Sequence, residues 1–244
     1  MIETFELTKK YKDLVALDRV SLSIEEGELF GLLGPNGAGK TTFVHLICGL
    51  LKPTSGAAVV GGFDIRKEEE SIKKIIGFMP QELGLYDDLT VKEHLELYGR
   101  VYNIPDNERA KRAEELLEII QLKDRKDSLV RTLSGGMKKK LSFICALIHQ
   151  PKYLLLDEPT IGIDVDLRRD MWKNFKELCK RGTTVLITTH YLDEANYCDR
   201  LALFNEAKLI AVGSPEELKR FAIKEMPNPT LEDAFIYLTK KVKK

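Results

Sequence analysis

The residues best suited to chemistry lie in one short run, Gly34-Pro35-Asn36-Gly37-Ala38-Gly39-Lys40-Thr41, which fits the pattern G-x-x-x-x-G-K-[ST]. Glycines let a backbone turn tightly and bring its N–H groups close to anionic oxygens. A helix that starts there adds the positive end of its dipole. Lys40 supplies a full charge near β- and γ-phosphates, and the Thr41 hydroxyl is placed to bind Mg²⁺. The run predicts a phosphate-binding loop for a nucleotide.

Other residues join it at the ends of apolar runs. Asp157-Glu158 directly follows Tyr153-Leu154-Leu155-Leu156. In an open α/β sheet, ligands sit at the carboxyl ends of strands. Two acids there can divide the work, one orienting Mg²⁺ and its waters, the other polarising an attacking water. An exposed acidic turn is the commoner fate of such a pair, but the leucine-rich run leading into this one argues for a site. His190 follows Thr188-Thr189 at the end of another apolar run, where phosphate contact is open to it; a lone histidine is more often structural. Gln81 closes the run Ile75 to Met79 and, taken alone, is ordinary loop polarity. Leu133-Ser134-Gly135-Gly136-Met137 opens a helix with a serine and two glycines, a second anion-binding N-terminus. If that second surface lies far from the first, it needs a partner's nucleotide. Tyr11, in the polar stretch Thr8 to Asp13 read as a loop, is either an ordinary exposed tyrosine or a stacking platform for a purine.

The elements that position these residues follow from periodicity. The glycine-rich run lies between an apolar strand, Glu28 to Leu33, and a helix from Thr42 to Leu50 with Phe43, Leu46, Ile47 and Leu50 at helical spacing. Ile2 to Leu7 and Val20 to Ile24 alternate like half-buried strands; Lys52 to Gly56 reads as a turn and Ala57 to Val60 as a strand. From Leu85 to about Leu147 the character is helical. Thr90-x-x-Glu93 is a capping box, with Val91, Leu95, Tyr98 and Tyr102 on one face behind it. Ala113, Leu116, Leu117 and Ile120 form a second face, and a third helix runs from about Gly135 to His149, stopped by Pro151. Tyr153 to Leu156 is a continuous apolar strand, of the kind buried on both faces of a parallel sheet. A helix from Val165 to Lys180 and a strand from Thr184 to Thr188 follow. Leu201 to Phe204 and Leu209 to Val212 pair as a hairpin around Asn205-Glu206. Ser214-Pro215-Glu216-Glu217 starts a helix, and a last one carries Leu231, Ala234, Phe235 and Leu238 on one face.

The alternation predicts an α/β fold: a P-loop core, mostly parallel sheet with flanking helices and an N-terminal antiparallel β part, plus an inserted helical subdomain. The expected organisation is a single domain over 1–244, with core 1–84 and 148–225, helical subdomain about 85–147 and C-terminal helix about 229–240. At 43% apolar and 31% charged residues, the chain can bury a substantial core and stay soluble. Its formal net charge of zero leaves no global basic footprint for nucleic acid or anionic lipid. Only the tail, Lys240-Lys241-Val242-Lys243-Lys244, is strongly basic, and it reads as a frayed, solvated end. Cys48, Cys145, Cys179 and Cys198 all fall in segments read as helix and have no C-x-x-C spacing, which predicts reduced thiols in a reducing cytosol. Glu3 and Glu6 near the start argue against a signal peptide, and no apolar run approaches the length that spans a bilayer.

Taken in order, these motifs resemble the nucleotide-binding subunit of an ATP-binding cassette (ABC) transporter, across essentially the whole chain. Gly34 to Thr41 matches the Walker A pattern, Tyr11 the adenine-stacking aromatic, Gln81 the Q-loop glutamine and Leu133 to Met137 the family signature. Tyr153 to Asp157 matches Walker B, Glu158 the catalytic carboxylate, Asp164 a D-loop position and His190 the switch histidine. The resemblance implies hydrolysis of ATP with Mg²⁺, with Glu158, His190 and Gln81 catalytic. It implies nucleotide contacts from Tyr11, from Gly34 through Thr42 (Pro35, Asn36, Gly37, Ala38, Gly39, Lys40 and Thr41 between them) and, across a dimer, from Ser134, Gly135 and Gly136. Thr41, Gln81 and Asp157 would hold Mg²⁺.

The implied partners are a second ABC ATPase chain, identical or related and packed head to tail, and polytopic membrane subunits whose coupling helix enters the groove near Gln81. No nucleic-acid partner is implied, and the expected location is cytoplasmic, peripheral on the inner face of the cell membrane. Two departures stand out: Met137 replaces the usual Gln, and Ile161-Gly162-Ile163-Asp164 has Ile where Leu is usual. The Met-ending signature, Thr189 to Ala195 and Thr230 to Phe235 are similar to the drug-resistance and lipid-export branch, which implies export. A soluble ABC ATPase in an assembly complex, such as iron–sulfur cluster biogenesis, shares every ATP motif but not those stretches. A translation or nucleic-acid machine of the superfamily usually carries two cassettes or a long coiled coil. A plain P-loop kinase or GTPase leaves Leu133 to Met137 unexplained.

Overall fold

The computed structural model describes residues 1–223 and 227–242. In chain order its strands are β1 (Ile2–Tyr11), β2 (Leu14–Ile24), β3 (Leu29–Leu33), β4 (Ser55–Val60), β5 (Phe63–Asp64), β6 (Ile76–Met79), β7 (Tyr153–Asp157), β8 (Thr184–Thr189), β9 (Arg200–Asn205) and β10 (Lys208–Gly213). The helices are α1 (Lys40–Ile47), α2 (Glu69–Ile75), α3 (Val91–Val101), α4 (Asp106–Ile119), α5 (Gly135–Cys145), α6 (Val165–Lys180), α7 (Leu192–Ala195), α8 (Pro215–Arg220) and α9 (Leu231–Val242).

The strands form two sheets. One is antiparallel, in the order β2-β1-β4-β5; the other runs β10-β9-β3-β8-β7-β6 and is parallel from β9 to β6. This is the α/β architecture expected. Every residue of β3, β7 and β8 is buried. Their side chains alternate between two cores: Leu29, Leu33, Leu154, Leu156, Val185 and Ile187 join the helices α3 to α6, whereas Phe30, Leu32, Leu155 and Leu186 join α1 and the antiparallel sheet. A period of two with apolar residues on both faces gives the continuous apolar runs seen in the sequence.

Local signals explain most ends. Thr90 and Ser214 each close a reciprocal capping box, with Glu93 and Glu217. Asp164 caps α6 by accepting from the Leu167 amide. Several expectations need correction. Thr8 to Tyr11 are strand, paired with both β2 and β4, and only Lys12-Asp13 turns. Bulges, with Glu6 and Arg19 at positive φ, break the alternation that would have revealed a longer strand. Helix α1 stops at Ile47 because Gly49 takes φ 72, which leaves Leu50 exposed. Ser55 already belongs to β4, and Ile75 ends α2, a charged helix that buries only Ile72 and so shows no apolar stripe. Helix α5 ends at Cys145, short of His149, and Gln150 turns the chain at φ 54. The hairpin turns at Glu206-Ala207, both at positive φ as a primed turn requires, one residue later than expected. Cys198 lies between α7 and β9 and Cys48 caps α1, so neither is helical, although all four cysteines are free thiols. Lys240 and Lys241 end α9 rather than fraying, while Lys243-Lys244 and the expected core boundary at 225 lie outside the described residues.

Candidate functional site

Strands β3, β6, β7 and β8 end on one edge because they run parallel in register: Leu33 pairs with Thr189, Asp157 with Thr188 and Met79 with Leu156. The glycine-rich loop, Asp157-Glu158, His190 and the segment leading to Gln81 all leave from that edge. It is the carboxyl edge, where α/β sheets bind ligands.

The loop is held by close backbone approach. A Cβ on Gly34 would sit 2.2 Å from the Phe204 carbonyl oxygen of β9. Gly39, at φ 101, precedes α1, and a Cβ there would sit 2.6 Å from the Ala16 carbonyl oxygen of β2. The first turn of α1 contains no acidic residue, so its N–H groups and dipole present an uncompensated positive end. Lys40 is buried at its start. Its Nζ donates to the carbonyls of Gly34 (2.7 Å) and Pro35 (3.1 Å) and lies 3.8 Å from Glu158 Oε1. Burial holds the Lys40 ammonium below its ordinary pKa, and the charges of Glu158 and Asp157 oppose that shift.

Glu158 turns off β7 in the left-handed region, φ 50, with its side chain 7% exposed. A bulky residue in that conformation is a strain of order 1–3 kcal/mol that tends to collect at functional sites. Its amide donates to Thr188 Oγ1 (2.9 Å), and the same hydroxyl donates to Asp157 Oδ1. Thr188 therefore fixes both acids. Glu158 Oε2 lies 3.3 Å from His190 Nδ1, close enough for ion pairing but not aligned as a hydrogen bond.

Lys40, Asp157, Glu158 and His190 are thus brought together. Gln81, Tyr11, Ser134 and Gly135 make no hydrogen bond or ion pair with that cluster. Gln81 is exposed beyond β6, and Tyr11 is 45% exposed at the β1–β2 turn with Lys9 Nζ 4.9 Å from its ring centre. Ser134 caps α5, accepting from the Met137 amide, and is exposed together with Gly135. A cleft of about 390 Å³ runs between Ser134, Gly136 and Met137 on one side and Gly162, Ile163 and Asp164 on the other; no residue of the glycine-rich loop lines it.

Sequence reasoning missed Thr188 and Lys139 as parts of the site. Lys139 Nζ donates from α5 to the carbonyls of Pro159 (3.3 Å) and Glu158 (3.5 Å). Two threonines closing a Val-Leu-Ile strand were the available signal, since hydroxyls buried at a strand end need partners. The metal-ligand chemistry fits Mg²⁺. Among the described residues no group of three or more His, Cys, Asp or Glu could cage a metal. Mg²⁺ asks for no such cage, only one or two hard oxygens beside phosphate and water, and the side chains of Asp157 and Thr41 carry oxygens of that kind.

Residues 17–161 match the family model described as ABC transporter. The chain is 43% identical over 239 residues to "Probable multidrug ABC transporter ATP-binding protein YbhF" of Escherichia coli (strain K12), covering 98% of this chain and 41% of that protein. It therefore spans about two fifths of that relative's length. It is 40% identical over 219 residues to "Linearmycin resistance ATP-binding protein LnrL" of Bacillus subtilis (strain 168), covering 89% of this chain and 70% of LnrL. Among solved structures, one described as the ATP binding subunit of an ABC transporter superposes with a TM-score of 0.89 at 29% identity, over 98% of this chain and 99% of that one. A dimeric post-hydrolysis state of the ATP-binding cassette MJ0796, bound to ADP and Pi, gives 0.81 at 29% identity over 88% and 98%.

Proposed function

The chain belongs to the ABC transporter family as an ATP-hydrolysing cassette, and we propose that its hydrolysis powers export through separate membrane subunits. The observation that carries this reading is Glu158, held between Lys40 and His190 at the carboxyl edge. The backbone of residues 34–41 and Lys40 hold the phosphates. Glu158 polarises the attacking water, and His190 steadies the γ-phosphate. Thr41, Asp157 and Gln81 would hold Mg²⁺, which when bound would supply charge neutralisation on the phosphate oxygens. Tyr11 and Thr42 complete the nucleotide contacts. Phosphoryl transfer asks a protein for positioning and charge stabilisation more than for covalent chemistry.

The cassette acts as a head-to-tail pair with an identical or related chain, each site completed by Ser134, Gly135 and Gly136 of the other. The exposure of Ser134 and the absence of glycine-rich-loop residues from its cleft support that arrangement. Residues 85–147 act as the helical subdomain that carries the signature, inserted into a core of 1–84 and 148–225. Among the described residues no helix is long and apolar enough to cross a membrane. The chain takes its place on the inner face of the membrane through polytopic partners. The names of YbhF and LnrL, multidrug transport and linearmycin resistance, support export.

The test is fractionation of cells expressing a tagged Glu158→Gln variant, lysed with MgATP to hold the closed complex. Recovery with one polytopic membrane protein is expected. Recovery only in the cytosol, with soluble assembly proteins or ribosomes, would overturn the transport reading and leave the ATPase.

A further inference from the structure

Glu194, on α7, is 1% exposed and touches none of the residues assigned above. Its Oε2 accepts from two hydroxyls, Thr160 Oγ1 at 2.8 Å and Thr189 Oγ1 at 2.9 Å. Thr160 is two residues beyond Glu158, and Thr189 immediately precedes His190. The Thr189 hydroxyl also accepts from the amide of Tyr191, so it spans the His190 turn on both sides. Oε1 lies 3.4 Å from Arg168 Nε of α6, an ion pair without hydrogen-bond alignment. Arg168 in turn stacks over the Tyr191 ring, 5.4 Å from its centre.

A buried carboxylate costs several kcal/mol in desolvation, which well-packed apolar residues of similar volume would avoid. Here it joins the two loops that carry Glu158 and His190, through one oxygen. We propose that Glu194 is a positioning residue for hydrolysis, clamping residues 158–160 to the turn at 189–191 and so setting the 3.3 Å approach of Glu158 to His190. Lys139 anchors the carbonyls of Glu158 and Pro159 from α5, so this stretch is held at both ends. The inference rests on the reading of Glu158 and His190 as the hydrolytic pair.

The test is steady-state hydrolysis of ATP by the purified full chain, with melting temperature alongside. The variants are Glu194→Ala, Glu194→Gln, Thr160→Val and Thr189→Val. A displacement of about 1 Å at a reacting group costs about 10²-fold in rate, so Glu194→Ala is expected to lower kcat by about that factor and leave KM for ATP unchanged. Glu194→Gln, which keeps a carbonyl acceptor for both hydroxyls, should recover most of the rate. Each threonine variant should lower kcat, and adding either to Glu194→Ala should cause no further loss, because residues acting as one unit are not additive. Wild-type kcat in folded Glu194→Ala, a loss confined to KM, or losses that multiply would overturn the proposal. If Glu194→Ala does not fold, the two threonine variants and their double carry the same expectations. Glu158→Gln separates the premises: normal turnover by that variant removes the site reading itself, whereas lost turnover there with none lost in the Glu194 series removes only this inference.

Discussion

Replacing Glu158 with Gln exchanges one carboxylate oxygen for an amide and keeps the side chain's shape, so its consequences are electrostatic. At 3.8 Å from Lys40 Nζ and an effective dielectric of about 20, the attraction lost is about 4 kcal/mol in gross terms. Much of it is offset, because the carboxylate no longer has to be desolvated. Lys40 keeps its bonds to the Gly34 and Pro35 carbonyls and the field of Asp157. The net change in fold stability is therefore about 1 kcal/mol. The effect on turnover is larger. Removing a group that takes a proton from the attacking water costs about 10²–10⁴-fold, about 3–5 kcal/mol of barrier. Affinity for ATP should hold or rise, since a negative charge beside the γ-phosphate disappears. Phosphate release measures kcat, and size-exclusion chromatography in MgATP reads the dimer that should now persist. Normal steady-state hydrolysis by a folded Glu158→Gln chain would refute the role.

Three other outcomes are expected. Ser134→Arg puts a bulky cation at the exposed cap of α5; it should block ATP-dependent dimerisation while monomer ATP binding, read by equilibrium dialysis, persists, and a dimer formed by this variant would exclude a trans role for the signature. Gly39→Ala forces a side chain into φ 101 and against the Ala16 carbonyl; strain and overpacking together should cost about 2–5 kcal/mol and abolish ATP binding by the same assay, and wild-type affinity would show the loop tolerates a Cβ. Burial holds His94 and His149 below the ordinary imidazole value of 6.5; His94 sits between the Tyr86 amide and the Thr90 carbonyl, and His149 beside the Ile76 carbonyl. Below that pH the unfolded chain takes up protons first, so this share of stability is full above 6.5 and lost as pH falls toward the depressed folded values. The melting temperature should fall on acidification through that window and fall less in His94→Gln; a flat profile from pH 7 to about 5 would contradict the assignment.

The parts of the fold that sequence made legible are those where one pattern served one purpose. Tyr153 to Leu156 and Val185 to Ile187 are apolar because both faces are buried, and the capping boxes at Thr90 and Ser214 are set by residues three apart. The antiparallel sheet was harder to read. Its bulges at Glu6 and Arg19 shift the alternation, so Thr8 to Tyr11 lost their strand signature. Helix α2, with one buried residue, had no stripe to find. In the site, Asp157, Glu158 and His190 could be named because each sits at the end of an apolar run, and Lys40 because it closes the glycine-rich run. Thr188 and Glu194 could not, since their contacts depend on the register between β7 and β8 and on a fold of the chain 34 residues long, from Thr160 to Glu194.

The burial of β3, β7 and β8 at every position also has a meaning in time. Amides in such strands open to solvent only when the whole domain opens, whereas frayed ends and mobile loops exchange far sooner. Glu158 and His190 leave directly from β7 and β8, and Lys40 begins the helix that follows β3. Hydrogen exchange at 153–157 and 184–189 should therefore be among the slowest in the chain. On heating, the capacity to bind nucleotide and the fold itself should disappear in the same transition, with no earlier loss of the site.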